Sequence, residues 1–322
     1  SNQQATIFGE PIGVLADSGG FSILSRSGMS CTSDQAGVWQ PGIVRQNDEI
    51  LVSFSSANGT LVAGGLTGIL RSDNGVDWTR EVLPPNSGPV VDIDWSGDQF
   101  VALGTRVYRS STGSGWDQDD PAQSISYGYC IEHFRGSAYV GTENGIADTL
   151  VWMENGAGFA PVASGRTGAV VELISNGSEL IAIGTSPLMT STNGVDWTAP
   201  HTGTSLTGDL HQVVYTGAGF IACGEDGRLW RSSDGESWTA EPIEDFPAIN
   251  SMIVNDGHLV GAGNRLVHSR DGAQWEITKV GSFRFLDVAF GDNKYVAITA
   301  RSVPQGVAIS ADRIERRVDR RE

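Results

Sequence analysis

The heptapeptide Ser232-Ser233-Asp234-Gly235-Glu236-Ser237-Trp238 decides the fold, because it returns at regular intervals. Its clearest copies are Ser72-Asp73-Asn74-Gly75-Val76-Asp77-Trp78, Ser191-Thr192-Asn193-Gly194-Val195-Asp196-Trp197 and Ser269-Arg270-Asp271-Gly272-Ala273-Gln274-Trp275. Ser110-Ser111-Thr112-Gly113-Ser114-Gly115-Trp116 follows the same form, and a weaker copy ends at Phe159. A degenerate copy runs from Ser33 to Trp39, and a truncated one begins at Ser310. The aromatic ends at 39, 78, 116, 159, 197, 238 and 275 are separated by 39, 38, 43, 38, 41 and 37 residues. Asn or Asp before Gly is a hairpin signal, since Gly supplies positive φ and the short polar side chain bonds nearby N–H groups. The Trp can fold back over the turn and bury a large apolar ring. Each copy therefore predicts a strand–turn–strand clasp. Asn74, Gly75, Trp78, Gly113, Trp116, Asn193, Gly194, Trp197, Asp234, Gly235, Trp238, Asp271, Gly272 and Trp275 are read as its structural residues.

Working outward, each clasp is preceded by a short apolar run such as Phe100-Val101-Ala102-Leu103-Gly104 or Phe220-Ile221-Ala222-Cys223-Gly224. Another strand-like segment precedes that run, as in Val90 to Trp95 or Phe285 to Phe290. Four short strands, here A to D, with turns every few residues and no helical stretch, make one repeat. Such units repeated around a circle form a β-propeller. Anchors for strand B at Phe21, Leu61, Phe100, Tyr139, Leu180, Phe220, Leu259 and Tyr295 favour eight blades, with seven plus an N-terminal appendage as the alternative. The whole chain, 1–322, is expected to be one domain. Residues 1–8 would supply a ring-closing strand, and 311–322 a C-terminal strand or tail. The last repeat loses its tryptophan, and Arg316 stands in that place.

Bulk properties exclude several classes. A formal charge of −17 over 322 residues repels phosphate backbones and anionic headgroups, so neither nucleic-acid binding nor membrane insertion is expected. No apolar run is long enough to span a bilayer as a helix. The three cysteines, Cys31, Cys130 and Cys223, fall in different repeats without metal-ligand spacing, so they read as buried thiols, and no metal or cofactor is expected. Five arginines crowd the last ten residues, interleaved with acids, as in a solvated end.

The phrase Ser-x-(Asp/Asn)-Gly-x-x-Trp resembles the Asp-box, or bacterial neuraminidase repeat, over nearly the whole chain. It is one residue shorter than the sialidase form, and no Arg-Ile-Pro stands near its start. The resemblance therefore implies a sialidase-like propeller that is not a sialidase. The photosystem assembly propellers are similar and non-enzymatic, which shows that the repeat needs no catalyst. The expectation is an extracytoplasmic, secreted or periplasmic scaffold, monomeric, binding a protein or an oligosaccharide. The alternative is a glycoside hydrolase or polysaccharide lyase of the Asp-box propeller type.

In propellers the inner strands line a central channel, while D-to-A and B-to-C connections rim one face. Inner strands here carry Asp92, Asp94, Glu132, His133, Glu172, His211 and Asp287. Ionisable side chains avoid a packed interior, so these are read as the lining of a wet channel, with a carboxylate pair or cation site as the sharper idea. The rim offers Tyr127, Tyr129, Arg166, His201 and Arg301. These twelve are the possible top-face or channel binding residues; none is assigned as catalytic or as a metal ligand.

Overall fold

The structure, a computed structural model, describes residues 4–5, 11–17, 20–33, 39–43, 50–118, 125, 128–143, 149–154, 158–164, 168–184, 188–198, 201–202, 210–224, 227–241, 243–278, 284–291, 294–299 and 306–309. Among these residues every regular element is a strand. None is a helix able to cross a membrane.

Among the described residues each repeat becomes a small antiparallel sheet, and eight such sheets are formed. Blade 1 comprises Pro11–Asp17, Gly20–Ser25, Met29–Ser33 and Gln40–Ile43. Blade 2 has Leu51–Ala57, Thr60–Gly65, Gly68–Ser72 and Thr79–Arg80; blade 3 has Val90–Trp95, Phe100–Gly104, Val107–Ser110 and Asp117–Gln118. Blade 4 holds Gly128–Phe134, Ser137–Thr142, Thr149–Glu154 and Phe159–Ser164. Blade 5 holds Val170–Ser175, Leu180–Gly184 and Met189–Ser191, with one bridge from Thr190 to Thr198 in place of a fourth strand. Blade 6 is Leu210–Tyr215, Phe220–Gly224, Leu229–Ser232 and Ser237–Glu241. Blade 7 is Ile249–Asn255, His258–Gly263, Leu266–Ser269 and Glu276–Thr278. Blade 8 takes Phe285–Gly291, Lys294–Thr299 and Gly306–Ile309 from one end of the sequence and Gln4–Ala5 from the other. The inner strands of successive blades pack on one another, and that of blade 8 packs on that of blade 1. The ring is closed.

The clasps show why the repeat folds this way. Asn74 Oδ1 accepts the N–H groups of Val76 and Asp77 at 2.9 and 2.8 Å, while Gly75 N donates to Ser72 Oγ at 2.8 Å. Asn193 does the same for Val195 and Asp196. Asp234 and Asp271 accept equivalent pairs, and these backbone N–H bonds hold both carboxyls below the ordinary aspartate range. Gly194 takes φ 77°, and a Cβ there would sit 1.9 Å from the Tyr139 hydroxyl of the preceding blade. Only glycine fits.

The tryptophan does more than cap its own turn. Indole Nε1 of Trp78, Trp116, Trp197, Trp238 and Trp275 each donates to the carbonyl of the clasp glycine three residues earlier, at 2.7–3.1 Å. The ring itself lies in the seam with the preceding blade. Trp238 packs with Ile181 and Leu188 of blade 5, Trp116 with Val62 and Ile69 of blade 2, and Trp275 with Ile221 and Leu229 of blade 6. Trp39, Trp78, Phe159 and Trp197 occupy four further seams. Seven seams thus carry a clasp aromatic.

Removing one tests this. Trp238→Ala leaves a ring-sized hole between two blades and is expected to cost about 3–5 kcal/mol, read as a lower urea midpoint at unchanged slope. A loss below about 1 kcal/mol would show that the seam does not depend on the indole.

Candidate functional site

Every inner strand begins with a β-bulge at the same register. The pairing skips one residue in each blade: Ile12, Val52, Val91, Tyr129, Val171, His211, Asn250 and Leu286. A bulge bends the strand and re-aims the extra side chain. These eight residues form a collar where the inner strands start, the end that also carries the D-to-A and B-to-C connections. Val91, Tyr129 and Val171, from three consecutive blades, are exposed at 37%, 44% and 39%. Tyr129 Oη donates to Glu143 Oε2 at 2.8 Å, and that bond raises the phenol pKa. Asn250 Nδ2 donates to Phe285 O of the next blade at 2.6 Å, and His211 Nδ1 lies 3.3 Å from Ile249 O. The sequence reading put Tyr129 on the rim and His211 on an inner strand, and it did not single out Val91 or Val171. The available signal was their place just before the polar inner-strand residue.

The next residue is polar in six of the eight strands, Gly13 and Cys130 being the exceptions, and its role differs from a bare channel lining. Asp92 Oδ2 accepts the Ile131 N–H of blade 4 at 3.0 Å, while Oδ1 accepts Ser53 Oγ of blade 2 at 2.8 Å. One carboxylate thus ties three blades. Asp287 repeats the arrangement, taking the Val14 N–H of blade 1 at 2.9 Å and Ser251 Oγ of blade 7 at 2.6 Å. Gly13 leaves room for it: a Cβ there would meet Asp287 Oδ2 at 3.1 Å. Glu172 Oε2 accepts the Val213 N–H at 3.1 Å, and Gln212 Oε1 accepts the Met252 N–H. Cys130 fills the same position in blade 4 and points its thiol at Val170 O, 3.9 Å away. It and Cys31 and Cys223 are buried free thiols, with pKa values raised by burial. Side chains at this register therefore link successive blades.

Two residues further on, Asp94 and Glu132 join Asp92 and Glu172 to make an acidic wall across blades 3 to 5. Burial pushes Asp92 up to about 6 and both Glu132 and Glu172 up to about 8, and mutual repulsion among the four carboxyls adds to it. Asp287 is also raised by burial. Glu132 and Glu172 are therefore neutral acids at pH 7, able to donate a proton. His133 Nδ1 lies 3.6 Å from Asp94 Oδ2, and its ring nitrogens make no hydrogen bond among the described residues. No three His, Cys, Asp or Glu side chains among those residues are arranged to hold a metal ion.

Tyr127, Arg166 and Arg301 lie outside the described residues. His201 departs from the rim position expected of it. Its strand, His201–Thr202, pairs in parallel with Ser237 and Trp238 on the outer edge of blade 6, away from the inner strands.

No model of a known protein family matches the chain, and no curated protein does. Solved structures do. The computationally designed Ika8 protein is similar at 12% identity and TM-score 0.72, with 96% of each chain covered. YCF48 from Cyanidioschyzon merolae is similar at 15% identity and TM-score 0.60, covering 97% of this chain and 99% of that one. YCF48 bound to D1 peptide matches at 13% and 0.57, over 96% and 95%. A catalytically inactive virginiamycin B lyase from Staphylococcus aureus, with quinupristin, matches at 12% and 0.62, over 80% and 94%. At these identities the likeness shows the fold, a β-propeller, and nothing finer.

The raised carboxyls give stability a pH dependence. Their protons are held more tightly in the folded than in the unfolded chain, whose glutamates titrate near 4.5. The contribution is fully present below that value and is lost as pH rises through about 8. The melting temperature is expected to fall by several degrees between pH 5 and pH 8.5. Glu132→Gln and Glu172→Gln should flatten the fall; a profile rising toward alkaline pH would contradict these assignments.

Proposed function

We propose that the protein is a non-catalytic binding propeller that presents its bulge-collar face to a protein partner. One observation carries the reading. Of the eight exposed large hydrophobic residues among the described residues, six lie on that face, spread over blades 2 to 5: Ile50, Leu66, Val82, Val91, Tyr129 and Val171. Val82 is 86% exposed, and Leu66 N donates to Ile50 O, which joins the B-to-C turn of blade 2 to the start of its inner strand. Exposed apolar side chains grouped on one side mark an interaction surface. The acidic wall behind the collar and the charge of −17 favour a partner segment with basic residues flanking apolar ones. YCF48, a protein of the same general fold, has been solved bound to D1 peptide.

The finer elements of the reading rest on the clasp sequence. Asp or Asn bonded to the turn backbone, with Trp over the clasp glycine, supports a place among Asp-box propellers. That resemblance in turn supports an extracytoplasmic, monomeric scaffold. An oligosaccharide is the other ligand class, since aromatic Tyr129 beside carboxylates suits a sugar.

A second reading, a glycoside hydrolase or lyase, is favoured by one feature. Glu132 is a buried, protonated acid beside Asp94 and His133, as a general acid requires. Against it, Asp92 and Glu172 already bond to neighbouring blades and are poorly free to act on substrate.

Parallel selection of a displayed peptide library and an oligosaccharide panel separates the two. Wild type is expected to enrich basic-apolar peptides. Tyr129→Ala combined with Val91→Ser should weaken the selected peptides by at least about tenfold with little change in melting temperature. Release of reducing ends by wild type, abolished in Glu132→Gln, would overturn the binding reading in favour of the enzyme.

A further inference from the structure

Six asparagines in the chain are followed by glycine. Four of these pairs lie among the described residues: Asn58-Gly59, Asn74-Gly75, Asn176-Gly177 and Asn193-Gly194. Such a pair is open to intramolecular attack, because glycine has no Cβ to shield its nitrogen from the preceding carboxamide. In three of the four, hydrogen bonds hold both reacting groups. Gly75 N donates to Ser72 Oγ at 2.8 Å, Gly177 N to Ser175 Oγ at 2.9 Å and Gly194 N to Ser191 Oγ at 2.8 Å. Asn74 Oδ1 and Asn193 Oδ1 each accept two backbone N–H groups within their clasps. Asn176 Oδ1 accepts those of Ser178 and Glu179, both at 2.8 Å.

Asn58-Gly59 stands apart. It forms the two-residue turn between the paired Ala57 and Thr60, at the tip of the inner hairpin of blade 2. Both residues are exposed, and neither the Asn58 carboxamide nor the Gly59 N–H makes a hydrogen bond among the described residues. No atom would come within 4 Å of a Cβ at Gly59, so the tip is open. The strand Leu51–Ala57 has its bulge at Val52 and leads to this turn at its other end, away from the collar. Blade 7 carries the same turn as Asp256-Gly257, with φ 47° and 79° against 53° and 78° for Asn58 and Gly59. The ring of blades therefore already accommodates the acid that loss of the Asn58 amide would make.

We propose that Asn58 is a site of spontaneous modification, where the carboxamide becomes a carboxylate by way of a cyclic imide formed with Gly59. Gly59 N gives its proton to a solvent base and attacks Asn58 Cγ. The N–Cγ bond forms, the Cγ–Nδ2 bond breaks, and the amide nitrogen takes up a proton and leaves as ammonia. Water then adds to one of the two imide carbonyls, its hydroxyl staying on that carbon and its proton passing to the nitrogen. Opening at Cγ gives an ordinary aspartyl residue. Opening at the main-chain carbonyl gives a β-linked one, which lengthens the turn by a backbone atom. Either product adds a negative charge to the face opposite the collar, so the proposal goes beyond the binding reading above and is tested apart from it.

The full chain is incubated at pH 8, folded and in parallel unfolded in urea, and mapped over time by mass spectrometry that separates aspartyl from β-aspartyl peptides. In the folded chain Asn58 is expected to convert at least about tenfold faster than Asn74, Asn176 and Asn193, where several hydrogen bonds must open first. In urea the four rates should converge. Ser175→Ala, which frees Gly177 N, should speed Asn176 and leave Asn58 unchanged. Asn58→Asp should melt within about 2 °C of wild type. Equal rates at all four in the folded chain would overturn the proposal, as would an Asn58 that converts in urea but stays intact when folded. No acceleration in Ser175→Ala would overturn the protective role of the serine hydroxyl.

Discussion

A blade of four strands buries little by itself, and in a closed ring both its faces are committed to neighbours, so the side chains between blades hold the molecule together. The clasp aromatic is the largest of them. It is placed there by chemistry only a few residues long: a glycine at positive φ, a short polar side chain bonded to the turn backbone, and an indole three residues on. Local turn chemistry and long-range packing thus serve one end. The polar hydrogen bond to the glycine carbonyl orients the ring, and the apolar seam makes that orientation worthwhile.

A second set of links runs around the inner wall. Carboxylates and amides at one register accept backbone N–H groups from the next blade, which satisfies donors the bulge would otherwise leave unpaired in a half-buried place. Asp92 and Asp287, each reaching three blades, are the tightest of these ties. The same bulge that makes room for Asp92 leaves Val91 exposed, whereas Leu286, before Asp287, packs into the seam with blade 1. In blades 3 to 5 structure and candidate surface therefore share one irregularity: the residue after the bulge faces a neighbouring blade, and Val91, Tyr129 and Val171 face out.

The clasps, the strand order and the repeat period were legible in the sequence because they are local, each a matter of residues within one hairpin. What lay between blades was not. Asp92, Glu172 and Asp287 read as ions beside water because their partners, Ile131, Val213 and Val14, sit a whole repeat away or at the far end of the chain. Nothing in the spacing of one strand reports the backbone donors of the next. Val91 and Val171 were passed over for a related reason. In a strand taken as regular they belong to the buried face, and only the bulge exposes them. His201 was placed by loop length, and a short parallel pairing that no propensity scale anticipates took it to the outer edge.

Gln4 and Ala5 pair with Val307 and Gly306, joining residues some three hundred apart in a sheet whose other strands are close neighbours in sequence. Every other blade can assemble from its own short stretch of chain as that stretch becomes available. Blade 8 cannot be completed until both extremities have met. Loop-closure entropy grows only logarithmically with the length enclosed, so the distance along the sequence adds little to the cost of that pairing, and without it the blade offers an open strand edge to any other chain nearby.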